Sequence, residues 1–200
     1  MKDRDVREAL WARLSAEYYG DAETILLHEL GLRGGVSRID LAVLNGAIHG
    51  YEIKSERDTL ERLPFQVAIY GQVLNFVTIV VAERHWAKAL SIVPEWWGIM
   101  VATIEGSRVS LEQKRRPEEN PQRDSRALLE LLWRDECVAI LQDASAIEGI
   151  RSAPKSLLRE RILALFSSDQ IDEHVLRSLK GRDRWRDLDS PGTPSVMPSR

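Results

Sequence analysis

Hydrophobic and polar positions recur along the first fifty residues with periods that predict helices and then strands. Residues 3 to 19 carry Val6, Leu10 and Leu14 at helical spacing, which predicts a first helix. The segment AETILLHELGL follows a potential cap and is predicted as a second helix. The segments VSRIDLAVLNG and AIHGYEIKS predict two strands, joined at Asn45-Gly46 by a strong hairpin signal.

The rest of the pattern predicts alternating elements and then helices alone. PFQVAIYGQVL predicts a helix, FVTIVVA a central strand covered on both faces, and ERHWAKALSIV a short helix. WGIMVATIEG and RVSLEQK predict two further strands. Beyond the polar segment KRRPEENPQRDSR, residues 126–149 and 155–186 are helical in pattern.

This order of elements predicts an α/β fold with a mixed central sheet flanked by helices. We divide the chain into an α/β domain at 1–115, a linker at 116–125, a helical domain at 126–188 and a disordered tail at 189–200.

Composition limits the class of protein. The net charge of −3 argues against a protein built mainly to coat nucleic acid. No apolar run approaches the roughly 20 residues of a membrane span, and the charged N-terminus is unlike a secretory signal. The single cysteine, Cys137, suits a reducing compartment, and we expect a cytoplasmic protein with no membrane partner.

Three ionisable residues lie in the predicted hairpin where strand residues are usually apolar. Asp40 interrupts SRIDLAV, and Glu52 and Lys54 share one face of YEIKS because strand side chains alternate. If the strands pair through the turn, the two carboxylates can lie side by side and repel. A divalent cation such as Mg²⁺ removes that conflict, and Glu29 could reach the same ion. The alternative is an ordinary salt bridge on a solvated sheet face.

The spacing of these residues resembles a nuclease superfamily. D-(x)₁₁-E-x-K across a hairpin resembles the PD-(D/E)XK, or restriction-endonuclease-like, superfamily, and Gln66 with Tyr70 resembles the QxxxY signature of its RecB-like branch. The string GYEIKSERDTLERLPFQ is also similar to a small bacterial family of presumed nucleases. The residue before Asp40 is Ile39 in place of the superfamily's proline.

The resemblance implies a role for each of these residues. Asp40 and Glu52, with the carbonyl of Ile53, would be metal ligands, and Lys54 would be the catalytic lysine. Glu29 would be an accessory acid that binds the metal directly or through water. The remaining pair, Gln66 and Tyr70, would support Lys54 or contact the substrate backbone.

We therefore expect a metal-dependent nuclease that hydrolyses phosphodiester bonds of nucleic acid, DNA in preference to RNA, with Mg²⁺ or Mn²⁺. A homodimer or a partner protein is compatible with this hypothesis. Two alternatives remain: a non-catalytic nucleic-acid-binding module, and an accessory subunit of a defence or mobile-element system.

Polar residues bordering the expected site have two interpretations. Ser55, Arg57, Asp58 and Arg62 could grip phosphates, or Ser55 and Asp58 could form a capping box. We favour the structural interpretation.

Overall fold

The computed structural model describes residues 1–182, and its central feature is one six-stranded sheet. The strands, in their order across the sheet, are β1 (Ile25–Leu32), β2 (Ser37–Leu44), β3 (Ile48–Lys54), β4 (Phe76–Ala82), β5 (Gly98–Glu105) and β6 (Arg108–Arg115). The β3–β4 and β4–β5 pairs are parallel and the other three pairs are antiparallel. The predicted α/β class with a mixed sheet is confirmed.

Seven α-helices accompany the sheet within residues 1–182. They are α1 (Asp3–Glu17), α2 (Leu63–Val73), α3 (Trp86–Ile92), α4 (Ser125–Leu128), α5 (Arg134–Asp143), α6 (Lys155–Leu165) and α7 (Ser168–Lys180). The parallel strands require crossovers, and α2 and α3 supply them. The predicted helix end at 183–186 and the predicted tail lie outside the described residues.

Each face of the sheet buries its own hydrophobic cluster. The apolar stripe of α1, formed by Val6, Leu10 and Leu14, packs on one face against strand residues such as Tyr51 and Ile53. The opposite face packs against α2, α3 and the C-terminal helices. Because both faces are covered, β4 is buried almost along its whole length, which explains its continuous apolar sequence.

The segment predicted as a second helix is strand β1 instead. Its apolar positions also suit a strand, and pairing with β2 places Leu27, Leu30 and Leu32 against the core. Tertiary pairing therefore outweighs the helix propensity of its leucines and Glu29. Glu29 adopts φ 59°, an uncommon conformation for a residue with a side chain.

The hairpin of β2 and β3 forms as predicted and positions the expected site. Gly46 has φ 64° in the connecting turn, a conformation that glycine adopts without steric cost. The register pairs Leu41 with Tyr51. Because the two strands are antiparallel, the next residues along this register, Asp40 and Glu52, lie beside each other. These two residues lie at the end of β3 that α2 follows.

The polar segment between β6 and α4 is anchored to the α/β layers. The Glu118 amide donates to the Trp96 carbonyl at 2.8 Å, and the Asn120 amide donates to the Asn75 carbonyl at 2.8 Å. The Asn120 side chain is buried and donates to the carbonyl of Leu74 at 2.9 Å. No helix within residues 1–182 has the length and apolar character needed to cross a membrane.

Candidate functional site

An open cleft of about 410 Å³ lies at the end of β3 and is lined almost entirely by polar residues. The residues that the sequence predicted for the site line this cleft, with the exception of Tyr70. The lining residues are Asp3, Glu29, Gly35, Val36, Ser37, Arg38, Asp40, Glu52, Ile53, Lys54, Asp58, Arg62 and Gln66.

Glu52 is the centre of a buried hydrogen-bond network. Its side chain is 2% exposed, and Lys54 Nζ donates to Glu52 Oε1 at 2.7 Å. Two residues of α2 complete the network: Gln66 Nε2 donates to Glu52 Oε1 at 2.5 Å, and Tyr70 Oη donates to Glu52 Oε2 at 2.7 Å. Three donors therefore hold this carboxylate in one orientation.

Burial raises the pKa of the Glu52 carboxyl group above its usual value, and the neighbouring Asp40 carboxylate raises it further. Lys54 acts in the opposite direction because its ammonium favours the ionised form. The two acidic side chains are therefore close enough to repel, as their positions in the hairpin predicted.

Asp40 is bound from two sides. Its Oδ2 accepts the backbone amide hydrogen of Ile53 at 2.8 Å, which ties β2 to β3 where their regular pairing ends. Its Oδ1 accepts from Arg7 Nη2 at 2.7 Å, and Arg7 Nη1 also donates to the Asp40 carbonyl at 2.8 Å. The side chain of Asp40 thus has a fixed direction, with part of it facing the cleft.

Arg7 is a residue of the site that the sequence did not predict. It lies on α1, where Asp3 also accepts from its Nε at 3.3 Å. An arginine four residues after an aspartate on a helix usually indicates a surface ion pair. The sequence pattern does not indicate that Arg7 also contacts Asp40, which lies 33 residues later in the chain.

Glu29 lines the same cleft from β1 and is half-exposed. Its Oε2 accepts from Arg38 Nη1 at 2.5 Å. Within the described part of the chain, no three histidine, cysteine, aspartate or glutamate side chains are grouped so that they could hold a metal ion. Glu29, Asp40 and Glu52 line the same cleft without forming such a group, and a metal role for Glu29 stays a prediction.

Gln66 and Tyr70 project from one face of α2, as their four-residue spacing predicted. Both side chains contact Glu52, and Gln66 Nε2 also donates to Tyr70 Oη at 3.1 Å. The Oε1 atom of Gln66 is buried without a hydrogen-bond partner. These residues orient the acidic centre of the cleft, and only Gln66 lines it.

The capping interpretation of Ser55 and Asp58 fits the geometry. Asp58 Oδ2 accepts from the Ser55 amide at 2.7 Å and from Ser55 Oγ at 2.6 Å, closing the turn after β3. The side chains of Arg57 and Arg62 make no hydrogen bond or ion pair within residues 1–182. Arg62 lines the cleft and Arg57 does not.

The charge of the cleft is negative. Its lining holds five acidic side chains against three basic ones, so its formal charge is −2 when all of them are ionised. Such a surface attracts cations and, by itself, repels polyanions.

The fold and the cleft define a mixed α/β protein with a carboxylate–lysine centre at the end of a sheet strand. The chain belongs to the family of bacteriophage P4 protein cII, whose family model matches residues 2–188.

Two individual proteins are similar to this chain. Protein cII of Enterobacteria phage P4 is 30% identical over 88 residues, which cover 44% of this chain and 33% of that protein. This chain therefore matches about a third of the length of that relative. A solved structure, the SPO1766 protein of unknown function from Silicibacter pomeroyi, is 21% identical, with a TM-score of 0.40 over 73% of this chain and 90% of that one.

Proposed function

We propose that this chain is a metal-dependent nuclease that hydrolyses phosphodiester bonds of nucleic acid, DNA in preference to RNA. The observation that carries the proposal is the contact of Lys54 Nζ with Glu52 Oε1 at 2.7 Å in a cleft that Asp40 also lines. An ammonium group beside two carboxylates combines a cation-binding group with one that stabilises negative charge.

The carboxylates suit a hard divalent cation, Mg²⁺ or Mn²⁺. The two oxygens of a carboxylate have about four lone pairs that can accept hydrogen bonds or bind a metal ion. The side chain of Asp40 accepts two hydrogen bonds and that of Glu52 accepts three, so both retain capacity. Mg²⁺ is commonly held by one or two carboxylates, with water and phosphate oxygens completing its shell. Two acidic side chains and a cleft of charge −2 meet that demand.

Each residue of the centre has a defined task in this proposal. Asp40 and Glu52, with the carbonyl of Ile53, would hold the cation, which would supply Lewis acidity at the phosphoryl oxygen. The ammonium of Lys54 stabilises the negative charge that develops on the phosphate as water attacks. Arg7, Gln66 and Tyr70 keep the carboxylates in position through the contacts described above.

A cleavage assay tests the proposal with single- and double-stranded DNA and RNA in Mg²⁺ or Mn²⁺. We expect Asp40→Asn and Lys54→Ala to reduce the rate at least about 10²-fold, which is typical for loss of a group that stabilises charge in the transition state. Asp143→Asn and Lys88→Ala are matched controls, because both residues are exposed and lie outside the cleft, and we expect full activity from them.

Three outcomes would count against the proposal. Hydrolysis that persists equally in both cleft variants would indicate another site or a contaminating enzyme. Binding of nucleic acid without hydrolysis in either metal would favour the non-catalytic module, and activity seen only with a co-expressed partner would favour the accessory subunit.

A further inference from the structure

Three basic side chains line the cleft, and two of them are paired with acidic residues. Arg38 donates to Glu29 at 2.5 Å, and Lys54 donates to Glu52 at 2.7 Å. The third, Arg62, is exposed, and its side chain makes no hydrogen bond or ion pair within residues 1–182. Arg62 is therefore the cation of the cleft that is available to an anionic ligand.

Within the described residues, Asp58 is the acidic residue of the cleft lining that is nearest to Arg62 in sequence, and it has another partner. Asp58 lies four residues earlier, in the turn that precedes α2, and also lines the cleft. Its Oδ2 accepts instead from the amide and hydroxyl of Ser55, at 2.7 and 2.6 Å. The turn after β3 thus engages one carboxylate oxygen of Asp58, and within residues 1–182 the guanidinium of Arg62 forms no ion pair.

Arg62 also occupies the N-cap position of α2, and no side chain caps that helix end. The N-terminus of a helix carries partial positive charge that favours anions. Gln66, in the same turn, is 5% exposed, lines the cleft and has its buried Oε1 without a hydrogen-bond partner. Within residues 1–182, Arg62 and Gln66 therefore lie together at this edge of the cleft, and the guanidinium of Arg62 is the group there that can donate to an anion, because the free atom of Gln66 is a carbonyl oxygen.

We propose that Arg62 forms a phosphate subsite that binds the phosphodiester backbone of nucleic acid beside the carboxylate–lysine centre. This inference rests on the proposed function, and it places the substrate along the first turn of α2. The planar guanidinium suits two oxygens of one phosphate. Arg62 also offsets part of the net negative charge of the lining, which by itself repels a polyanion.

The test is binding in EDTA, where a failure of catalysis does not affect the readout. The probes are a fluorescein-labelled 20-nucleotide single-stranded DNA and its duplex, titrated at several KCl concentrations. We expect Arg62→Ala to weaken binding and to reduce the slope of log K against log [KCl] by about 0.7 for the single strand and about 0.9 for the duplex.

Arg57→Ala is the matched control. Arg57 lies in the same exposed segment and also lacks a side-chain partner, but it does not line the cleft. We expect its salt slope to equal that of the wild type, and circular dichroism checks that both variants fold. An unchanged slope for Arg62→Ala, equal losses in both variants, or no binding by the wild type would overturn the subsite. Normal binding with no hydrolysis in metal would instead count against the proposed function alone.

Discussion

At the scale of single residues, the hydroxyl of Tyr70 has one proton and two close acceptors. The Arg38 carbonyl lies 2.8 Å from Tyr70 Oη, and Glu52 Oε2 lies 2.7 Å from it. If Glu52 carries a proton on Oε2, it donates to Tyr70, and Tyr70 donates to Arg38. Burial raises the pKa of the Glu52 carboxyl group and therefore favours uptake of this proton as the pH falls.

We therefore predict that, when the pH is below the raised pKa of Glu52, binding of Mn²⁺ releases a proton from its carboxyl group, because a cation requires the ionised carboxylate. The affinity of the protein for Mn²⁺ should rise with pH and level off once the pH exceeds the raised pKa of Glu52. Calorimetric titration in two buffers of different ionisation enthalpy measures the proton count. We expect up to one proton per ion for the wild type and none for Glu52→Gln. Identical heats of binding in the two buffers for the wild type would contradict this prediction.

His49 predicts a second effect of pH, on stability. Burial lowers the pKa of its imidazole to about 3, and its ring nitrogens contact Thr78 Oγ1 at 2.9 Å and the Tyr51 hydroxyl at 3.2 Å. The unfolded chain binds a proton near pH 6.5 and the folded chain does not. The free energy of unfolding is therefore highest above pH 6.5 and falls towards pH 3 by about 1.4 kcal/mol per pH unit.

Urea unfolding at pH 6.5 and pH 5 checks this prediction. His49→Gln lacks the titrating group and serves as the reference for all other titrations. We expect the wild type to lose about 2 kcal/mol more than the variant between those two values. Equal losses in the two proteins would mean that His49 titrates alike in the folded and unfolded chains.

At the scale of elements, the sequence correctly predicted the helices and strands whose hydrophobic pattern is compatible with only one type of secondary structure. The hairpin of β2 and β3 has a glycine turn, and β4 is a short continuous apolar run. Residues 25–32 suit a helix or a strand, and pairing with β2 decides between them. The contact between Arg7 and Asp40 could not be predicted, because it depends on where α1 packs against the sheet.

The positive φ of Glu29 in β1 gives a prediction at this scale. The register pairs His28 with Leu41 and Leu30 with Ile39, so Glu29 lies opposite Asp40 in a conformation that disfavours a Cβ atom. Glu29→Ala and Glu29→Gly both lose the ion pair with Arg38, and only glycine removes the backbone strain. We expect the glycine variant to be more stable by about 1 kcal/mol in urea unfolding. In an ordinary strand position, alanine is more stabilising than glycine. An alanine variant as stable as the glycine variant, or more stable, would therefore show that the backbone at Glu29 is not strained.

At the scale of the whole molecule, one hydrophobic cluster contains residues of the sheet and of all four C-terminal helices. Leu44 and Ile79 belong to the strands, and Leu128, Cys137 and Leu179 to the helices. The segment between these parts is held by Asn120, which donates to the carbonyls of Gly71 and Leu74. A shared core and an anchored connection favour cooperative unfolding of the chain.

We predict that a cavity in the last helix destabilises the strands as much as the helix itself. Leu179 is fully buried on α7, and Leu179→Ala should lower the free energy of unfolding by about 2–5 kcal/mol. Leu165→Ala is the matched control, because Leu165 is 42% exposed on α6 and its truncation should change stability by about 0.5 kcal/mol or less.

Amide hydrogen exchange reports each element separately. Under cooperative unfolding, β4 and α7 lose equal protection in Leu179→Ala, because both exchange through the same global opening. If α7 loses protection while β4 keeps it, the helices unfold as a unit of their own, and the division of the chain near residue 116 describes two independently stable parts.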